Sequence, residues 1–402
     1  MRTMYVDVSP SRMLLTRMLG RVTRGAFFGP FAPLHLTKWP DPPLPHASWA
    51  RVHNRMCGIC GSDLHQLYLD AGLDVAPLAL PAHHRIYLGH EMVGTIVEVG
   101  PDVSHVHVGD RVVRWGRGDD CLARGKAVLC PACRRGHRVL CEHASEPRPY
   151  EPIGGGFGDS FIFPASGLIP VPPELRDEQA IFTEPAAVAI HAVWRSPPDP
   201  GARVLVIGCG TIGYLLMQVL RVVQPRCEIT AIAQYRWQAH LAHTFGATHT
   251  ILEGEDLYAR VAEITGAQLY QGRMGNKMLM GGFDVTFDVV GIPATLHNAL
   301  RWTRARGTVV LVGVYLHRMC LDLTPLWHQE VNLIGAVGHD IITWQEKHIS
   351  TFELAMQWML DGRLETDTLL THTFPLDAYS QAFRVAAEKD RYRSIKVAFD
   401  RF

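Results

Sequence analysis

The apolar positions of the chain fall into three stretches with different patterns. Between Val204 and Leu220 no charged residue interrupts the sequence, a length close to that of a membrane span, yet Gly208, Gly210 and Gly213 punctuate it. The run therefore divides into a β-branched-rich strand, Val204 to Ile207, and an apolar helix, Tyr214 to Val223, that would lie against a sheet. Further strands are predicted at Glu228 to Ala233, Thr248 to Leu252, Asp284 to Val289 and Thr308 to Val312, with helices such as Trp237 to Thr244 and Ala294 to Arg304 between them. Strands alternating with helices predict a doubly wound parallel sheet, a Rossmann-type α/β domain, over residues 196–340. Upstream, glycines, prolines and short alternating runs such as Thr95 to Val99 and Arg111 to Val113 predict a mainly antiparallel, barrel-like domain over residues 1–195. Pro197, Pro198 and Pro200 cannot continue a helix, so Ser196 to Gly201 is the expected linker. Beyond Gly338 the alternation stops, and residues 341–402 are expected to return to the first domain.

With 402 residues the chain is long enough for two cores. Hydrophobic residues make up 47% and charged residues 19%, proportions that let the whole chain fold. Lysine plus arginine equals aspartate plus glutamate at 39 each, so no global field draws nucleic acid or an anionic membrane, and the expected partner is a small molecule. Six of the nine cysteines crowd between Cys57 and Cys141 at metal-ligand spacings, which points to reduced thiols and a cytoplasmic protein. Arg2, Arg12, Arg17, Arg21 and Arg24 mix with apolar runs too short for a signal peptide or a membrane span. With Asp7 and the prolines from Pro30 onward, they read as a folded extension rather than a transit segment.

Gly208-Cys209-Gly210-Thr211-Ile212-Gly213 is a G-x-G-x-x-G between a predicted strand and a predicted helix, the context in which this motif holds a dinucleotide. The first glycine permits the turn, the second lets the backbone approach a pyrophosphate, and the third lets helix pack on strand. The N–H groups at the start of the helix then face the phosphates. About 20 residues on, an NAD enzyme offers an acid to the adenosine ribose; here Ala233 is followed by Gln234, Tyr235 and Arg236. A missing carboxylate with an arginine nearby suits a 2′-phosphate, so NADP is favoured over NAD.

Cys60-Gly61-Ser62-Asp63-Leu64-His65, then Gly89-His90-Glu91 and Glu184-Pro185, supply thiol, imidazole and carboxylate, the mixed set that holds a catalytic zinc with one position open. On these residues, on Gly89-His90-Glu91-Met92-Val93-Gly94-Thr95-Ile96-Val97-Glu98-Val99-Gly100, on Gly109-Asp110-Arg111-Val112-Val113 and on the stretch Phe283 to Gly313, the chain resembles the zinc-containing medium-chain dehydrogenase/reductase superfamily. The likeness runs from about Met56 to the helical C-terminal tail and is nearest to the polyol and threonine dehydrogenase branch.

That resemblance implies a GroES-like catalytic domain beside the Rossmann domain. It implies hydride transfer between NADP(H) or NAD(H) and a secondary alcohol, polyol or sugar-derived carbonyl, with zinc lowering the alcohol pKa. Cys60 and His90 match the first two zinc ligands, Glu184 the carboxylate ligand or near-ligand of that branch, and Glu91 the adjacent acid that ligates in some members. Ser62 matches the hydroxyl that bonds the reacting oxygen, His65 a downstream proton relay, and Asp63 the acid that orients His90. Cys57 reads as a packed thiol, and His83 and His84 as loop histidines.

Cys130-Pro131-Ala132-Cys133 and Cys141 match the last three cysteines of the family's structural zinc lobe. The first of the four would fall at Ala127; Cys121 is the nearest spare thiol, with Asp119, Asp120 or an empty lobe as the alternatives. Two other functions remain open at this point. A zinc-independent quinone or enoyl reductase would keep the glycine motif, and a non-catalytic binding protein would use the basic lobe of Arg134, Arg135, His137 and Arg138. A homo-oligomer is expected, with Thr308 to Tyr315 as a candidate edge strand.

Overall fold

The computed structural model describes residues 1–71, 85–147, 151 and 153–402. By internal contacts the chain forms two units, one of Met1–Glu184, Phe352–Leu360 and Thr366–Phe402, the other of Pro185–Thr351 and Asp361–Glu365.

The first unit opens with β1 (Arg2–Asp7), α1 (Pro10–Gly20) and β2 (Leu34–Lys38), then β3 (Trp49–Gly58), α2 (Gly61–Leu67) and β4 (Arg85–Tyr87). β1 lies antiparallel between β2 and β4 in a three-stranded sheet. Its alternation decides its faces: Met4 and Val6 enter the core, while Tyr5 packs outside against Trp39 and Tyr87. The unit continues through β5 (Glu91–Val99), β6 (Arg111–Arg114), α3 (Pro131–Arg134), β7 (Ser160–Pro164), β8 (Leu168–Pro170) and α4 (Asp177–Ala180) to the first two residues of α5 (Thr183–Arg195), which belongs from Pro185 onward to the second unit. Arg111 reaches Asp177 at 2.8 Å and the carbonyl oxygen of Leu175 at 2.6 Å, which ties the start of β6 to the connection between β8 and α4.

The second unit holds β9 (Arg203–Ile207), α6 (Thr211–Val223), β10 (Glu228–Ala233), α7 (Arg236–Thr244), β11 (His249–Leu252) and α8 (Leu257–Thr265). After a hairpin of β12 (Gln268–Gln271) and β13 (Lys277–Met280) come β14 (Phe283–Asp288), α9 (Pro293–Trp302), β15 (Thr303–Leu311), α10 (Thr324–His328) and β16 (Asn332–Gly335). A second hairpin, β17 (Ile341–Trp344) and β18 (Lys347–Ser350), closes the unit. The six-stranded sheet is parallel with order β11-β10-β9-β14-β15-β16, the doubly wound arrangement expected from the alternation. Leu205, Ile207, Ile251, Phe283, Trp302 and Val309 share its core. One expectation fails here. Thr308 to Tyr315 is no edge strand, because β15 pairs with β14 on one side and β16 on the other; the apolar run from Val331 adds the outermost strand.

The chain then re-enters the first unit through α11 (Thr351–Leu360), β19 (Leu370–Pro375), α12 (Tyr379–Ala387), α13 (Lys389–Tyr392) and β20 (Lys396–Arg401). β20 joins β3 antiparallel, completing a sheet of order β19-β20-β3-β5-β6-β8 with β7 also paired to β3. β3 is buried along most of its length because it has neighbours in β5, β7 and β20. Among the described residues no helix is long and apolar enough to cross a membrane.

Candidate functional site

The glycine motif has the geometry its spacing predicts. Gly208 follows β9 with φ +110°, a conformation open to glycine, and a Cβ there would meet Val290 Cγ2 at 2.8 Å. A Cβ on Gly213 would strike the Gly208 carbonyl oxygen, so helix and turn touch as backbone. Gly210 caps α6 without a side chain, at the end of the helix where backbone N–H groups are available to a phosphate. At the end of β10, Gln238 Oε1 accepts the N–H groups of Gln234 and Tyr235, both at 3.2 Å. Arg236 then opens α7, exposed and paired with no carboxylate among the described residues. The rings of Tyr235 and Trp237 stack alongside, 6.2 Å apart at 9°.

In the first unit, Cys60 ends the turn after β3 and caps α2. Asp63, at the third helical position, returns a carboxylate to the Cys60 N–H at 2.9 Å. The other oxygen of Asp63 accepts from the Gly89 N–H at 3.4 Å and stands 3.8 Å from His90 Nδ1. One buried carboxylate thus ties the cysteine turn to the histidine turn. Burial pushes the Asp63 carboxyl up, against the pull of His90 and the Cys60 N–H. Burial lowers the His90 imidazole, but the charges of Asp63, Cys60 and Glu184 outweigh it and hold it well above its ordinary value. The ligand atoms of Cys60, His90 and Glu91 lie within 4.8 Å of one another.

Glu184 stands on the first turn of α5, outside that cluster but near enough for its charge to act on His90. Burial raises its carboxyl to about 7; Glu91 and Asp63 add to this, and His90 and Lys396 oppose it. Ser62 lies half-buried in the first turn of α2, and His65 one turn on, its Nδ1 at 3.0 Å from Asp70.

Lys396 is the residue that pattern reading missed. It is 3% exposed, donates to the Ile59 carbonyl oxygen at 3.3 Å, and forms an ion pair with Glu91, itself 1% exposed. A lysine between Ile395 and Val397 in an apolar strand was the available signal, because a buried ammonium needs a partner. Lys389 is a second cation near the site; burial and then Lys396 lower it, while Cys60 acts the other way.

Cys121, Cys130, Cys133 and Cys141 form a closed cluster with sulfurs within 4.8 Å. Cys121 and Cys141 are 3.7 Å apart, with no disulfide. Backbone N–H groups of Cys130, Cys133 and His143 point at the sulfurs of Cys121, Cys130 and Cys141 at 3.4 Å each; the Cys133 N–H draws the Cys130 thiol down, while burial pushes Cys133 and Cys141 up. Four buried thiols with N–H donors are what thiolates around one ion need. The carboxylate alternatives are committed elsewhere, Asp119 to Arg117 at 3.4 Å and Asp120 to Arg138 at 2.9 Å. Cys57 is a buried thiol raised by burial, packed against Gly156. His83 and His84 lie outside the described residues.

Comparison with known proteins matches two family models, the alcohol dehydrogenase GroES-like domain over residues 46–173 and the zinc-binding dehydrogenase domain over residues 211–359. The chain is 30% identical over 357 residues to sorbitol dehydrogenase of Arabidopsis thaliana, covering 87% of this chain and 88% of that one. It is 29% identical to D-arabinitol dehydrogenase 1 of Uromyces fabae, covering 83% and 85%. Among solved structures, 2R,3R-butanediol dehydrogenase of Bacillus subtilis superposes with a TM-score of 0.70 at 25% identity, covering 92% and 96%.

Proposed function

The chain belongs to the zinc-type medium-chain dehydrogenases, in their polyol dehydrogenase branch, and from that premise we propose how its residues divide the work of an NAD(P)-dependent alcohol oxidoreductase. The observation that carries the reading is the convergence of Cys60, His90 and Glu91 within 4.8 Å, with Glu184 beside them. Cys60, His90 and Glu184 would hold the catalytic metal, since Lys396 already occupies the Glu91 carboxylate. A zinc ion held there would supply Lewis acidity, and a bound nicotinamide the capacity to exchange hydride.

The chain's own groups do the rest. The Asp63 carboxylate, 3.8 Å from His90 Nδ1, faces that side of the imidazole and favours its direction electrostatically. Ser62 accepts the hydroxyl proton of the alcohol and passes it to His65, which Asp70 orients. Cys121, Cys130, Cys133 and Cys141 would hold a second, structural zinc. The substrate is a secondary alcohol of a polyol or its sugar-derived carbonyl. NADP(H) is preferred over NAD(H), as Ala233 in place of an acid and Arg236, paired with no carboxylate among the described residues, support. Metal-ligating thiols support a cytoplasmic setting, and the open edge at β16 supports a homo-oligomer.

The test is zinc content per chain, with turnover of polyols using NADP⁺ against NAD⁺, for the protein and His90→Ala. Loss of one zinc equivalent together with activity is expected. Equal zinc in both proteins refutes the ligand assignment and leaves the zinc-independent reductase.

A further inference from the structure

β14 ends at Asp288, whose side chain is fully buried at 0% exposure and has no cation paired with it among the described residues. Its donors are neutral and come from the loop after β14, the first turn of α9 and the loop after β15. Oδ1 accepts the N–H groups of Val290 at 3.0 Å and Gly291 at 3.3 Å. Oδ2 accepts the hydroxyls of Thr295 and Tyr315, both at 2.7 Å. The Asp288 carbonyl oxygen takes the N–H groups of Val312 and Gly313 at 2.9 Å. A buried charge without a counter-ion is costly unless its hydrogen bonds are complete; here completing them ties the loop after β14 to the loop after β15.

The two loops also abut as backbone. A Cβ on Gly291 would meet the Val314 nitrogen at 2.8 Å, and one on Gly313 would strike the Gly291 nitrogen. Val290, in turn, leans on Gly208, the first glycine of the phosphate motif. The same loops leave three aliphatic side chains open to solvent, Val290 at 38%, Ile292 at 48% and Val314 at 45%.

β9 is the point where the sheet order reverses, with β10 on one side and β14 on the other. A dinucleotide lies across such a point, its pyrophosphate at the helix N-terminus. The adenosine half belongs with Ala233 to Arg236 at the end of β10, so the nicotinamide half falls to the β14–β15 side. We propose that Asp288 is a positioning residue for the cofactor: through Thr295 and Tyr315 it locks the two loops into one apolar seat for the nicotinamide riboside. The inference rests on the dinucleotide reading given above.

The experiment measures binding by titration calorimetry to the zinc-loaded full chain and its Tyr315→Phe, Thr295→Ala and Asp288→Asn variants. The probes are NADP⁺, NADPH and 2′-phospho-ADP-ribose, which lacks the nicotinamide. Tyr315→Phe removes one bond to a buried carboxylate and is expected to weaken both dinucleotides about tenfold, with 2′-phospho-ADP-ribose held within about twofold and zinc content unchanged. Asp288→Asn should exceed it. If Asp288→Asn does not fold, the two hydroxyl variants carry the test. Equal losses for all three probes, or none for any, overturn the proposal. Wild-type protein that binds none of these probes and neither NAD⁺ nor NADH overturns the dinucleotide reading itself, and the clamp with it.

Discussion

Replacing Lys396 by methionine tests the electrostatics of the first unit most directly. The ammonium is 3% exposed and its partner Glu91 is 1% exposed, so neither group has water to fall back on. Lys396→Met removes the ion pair and the 3.3 Å bond to Ile59, and leaves Glu91 buried among Asp63 and Glu184. Stripping one partner from such a pair costs about 3–5 kcal/mol, because the remaining charge is uncompensated. At 2–4 °C per kcal/mol for a unit of this size, the thermal midpoint should fall by about 6–20 °C. Glu91→Gln in the same protein removes the stranded charge, and the double variant should recover about 2 kcal/mol over the sum of the singles. The assay is urea and thermal unfolding of zinc-loaded protein for both single variants and the double. Strict additivity, or a cost for Lys396→Met below about 1 kcal/mol, refutes the argument that the pair is buried and mutually dependent.

Cys121→Ser should lose one zinc equivalent and Asp119→Asn none; the reverse, by metal analysis, would make the carboxylate the fourth ligand of the lobe. Arg236→Ala should raise KM for NADP⁺ about tenfold or more through loss of a charge-assisted bond and leave KM for NAD⁺ alone, and steady-state kinetics with both cofactors decides it. The Asp322 carboxyl is held down to about 2, by the Thr324 hydroxyl and N–H and then by Arg301. A depressed acid stabilises the fold above its unfolded pKa of about 4 and loses that contribution as pH falls towards 2. The midpoint difference between the protein and Asp322→Asn should therefore be constant above about pH 5 and vanish towards pH 2; a difference that persists in acid would contradict this. Gly213→Ala should abolish dinucleotide binding, since its methyl meets the Gly208 carbonyl oxygen; calorimetry showing unchanged affinity would mean the turn can yield.

What the sequence by itself determined is local. The alternation of strands and helices from Val204 onward, the glycine turn between β9 and α6, the cysteine pair at Cys130 and Cys133, and the return of Asp63 to the Cys60 turn each need only a few neighbouring residues. Their periods and spacings are written in consecutive positions. Even there, α6 begins at Thr211 rather than Tyr214, because Gly210 caps it. What only the tertiary structure decided depends on residues far apart in the chain. Lys396 meets Glu91 across 305 positions, Cys121 joins three thiols from beyond a turn of its own, and Asp288 gathers hydroxyls from α9 and from the loop after β15. The outermost place of β16, which removes Thr308 to Tyr315 from the sheet edge, and the packing of residues 1–38 as β1, α1 and β2 are of the same kind. Pairing partners across a sheet and counter-ions across a core are chosen by the folded geometry, and no spacing along the chain encodes them.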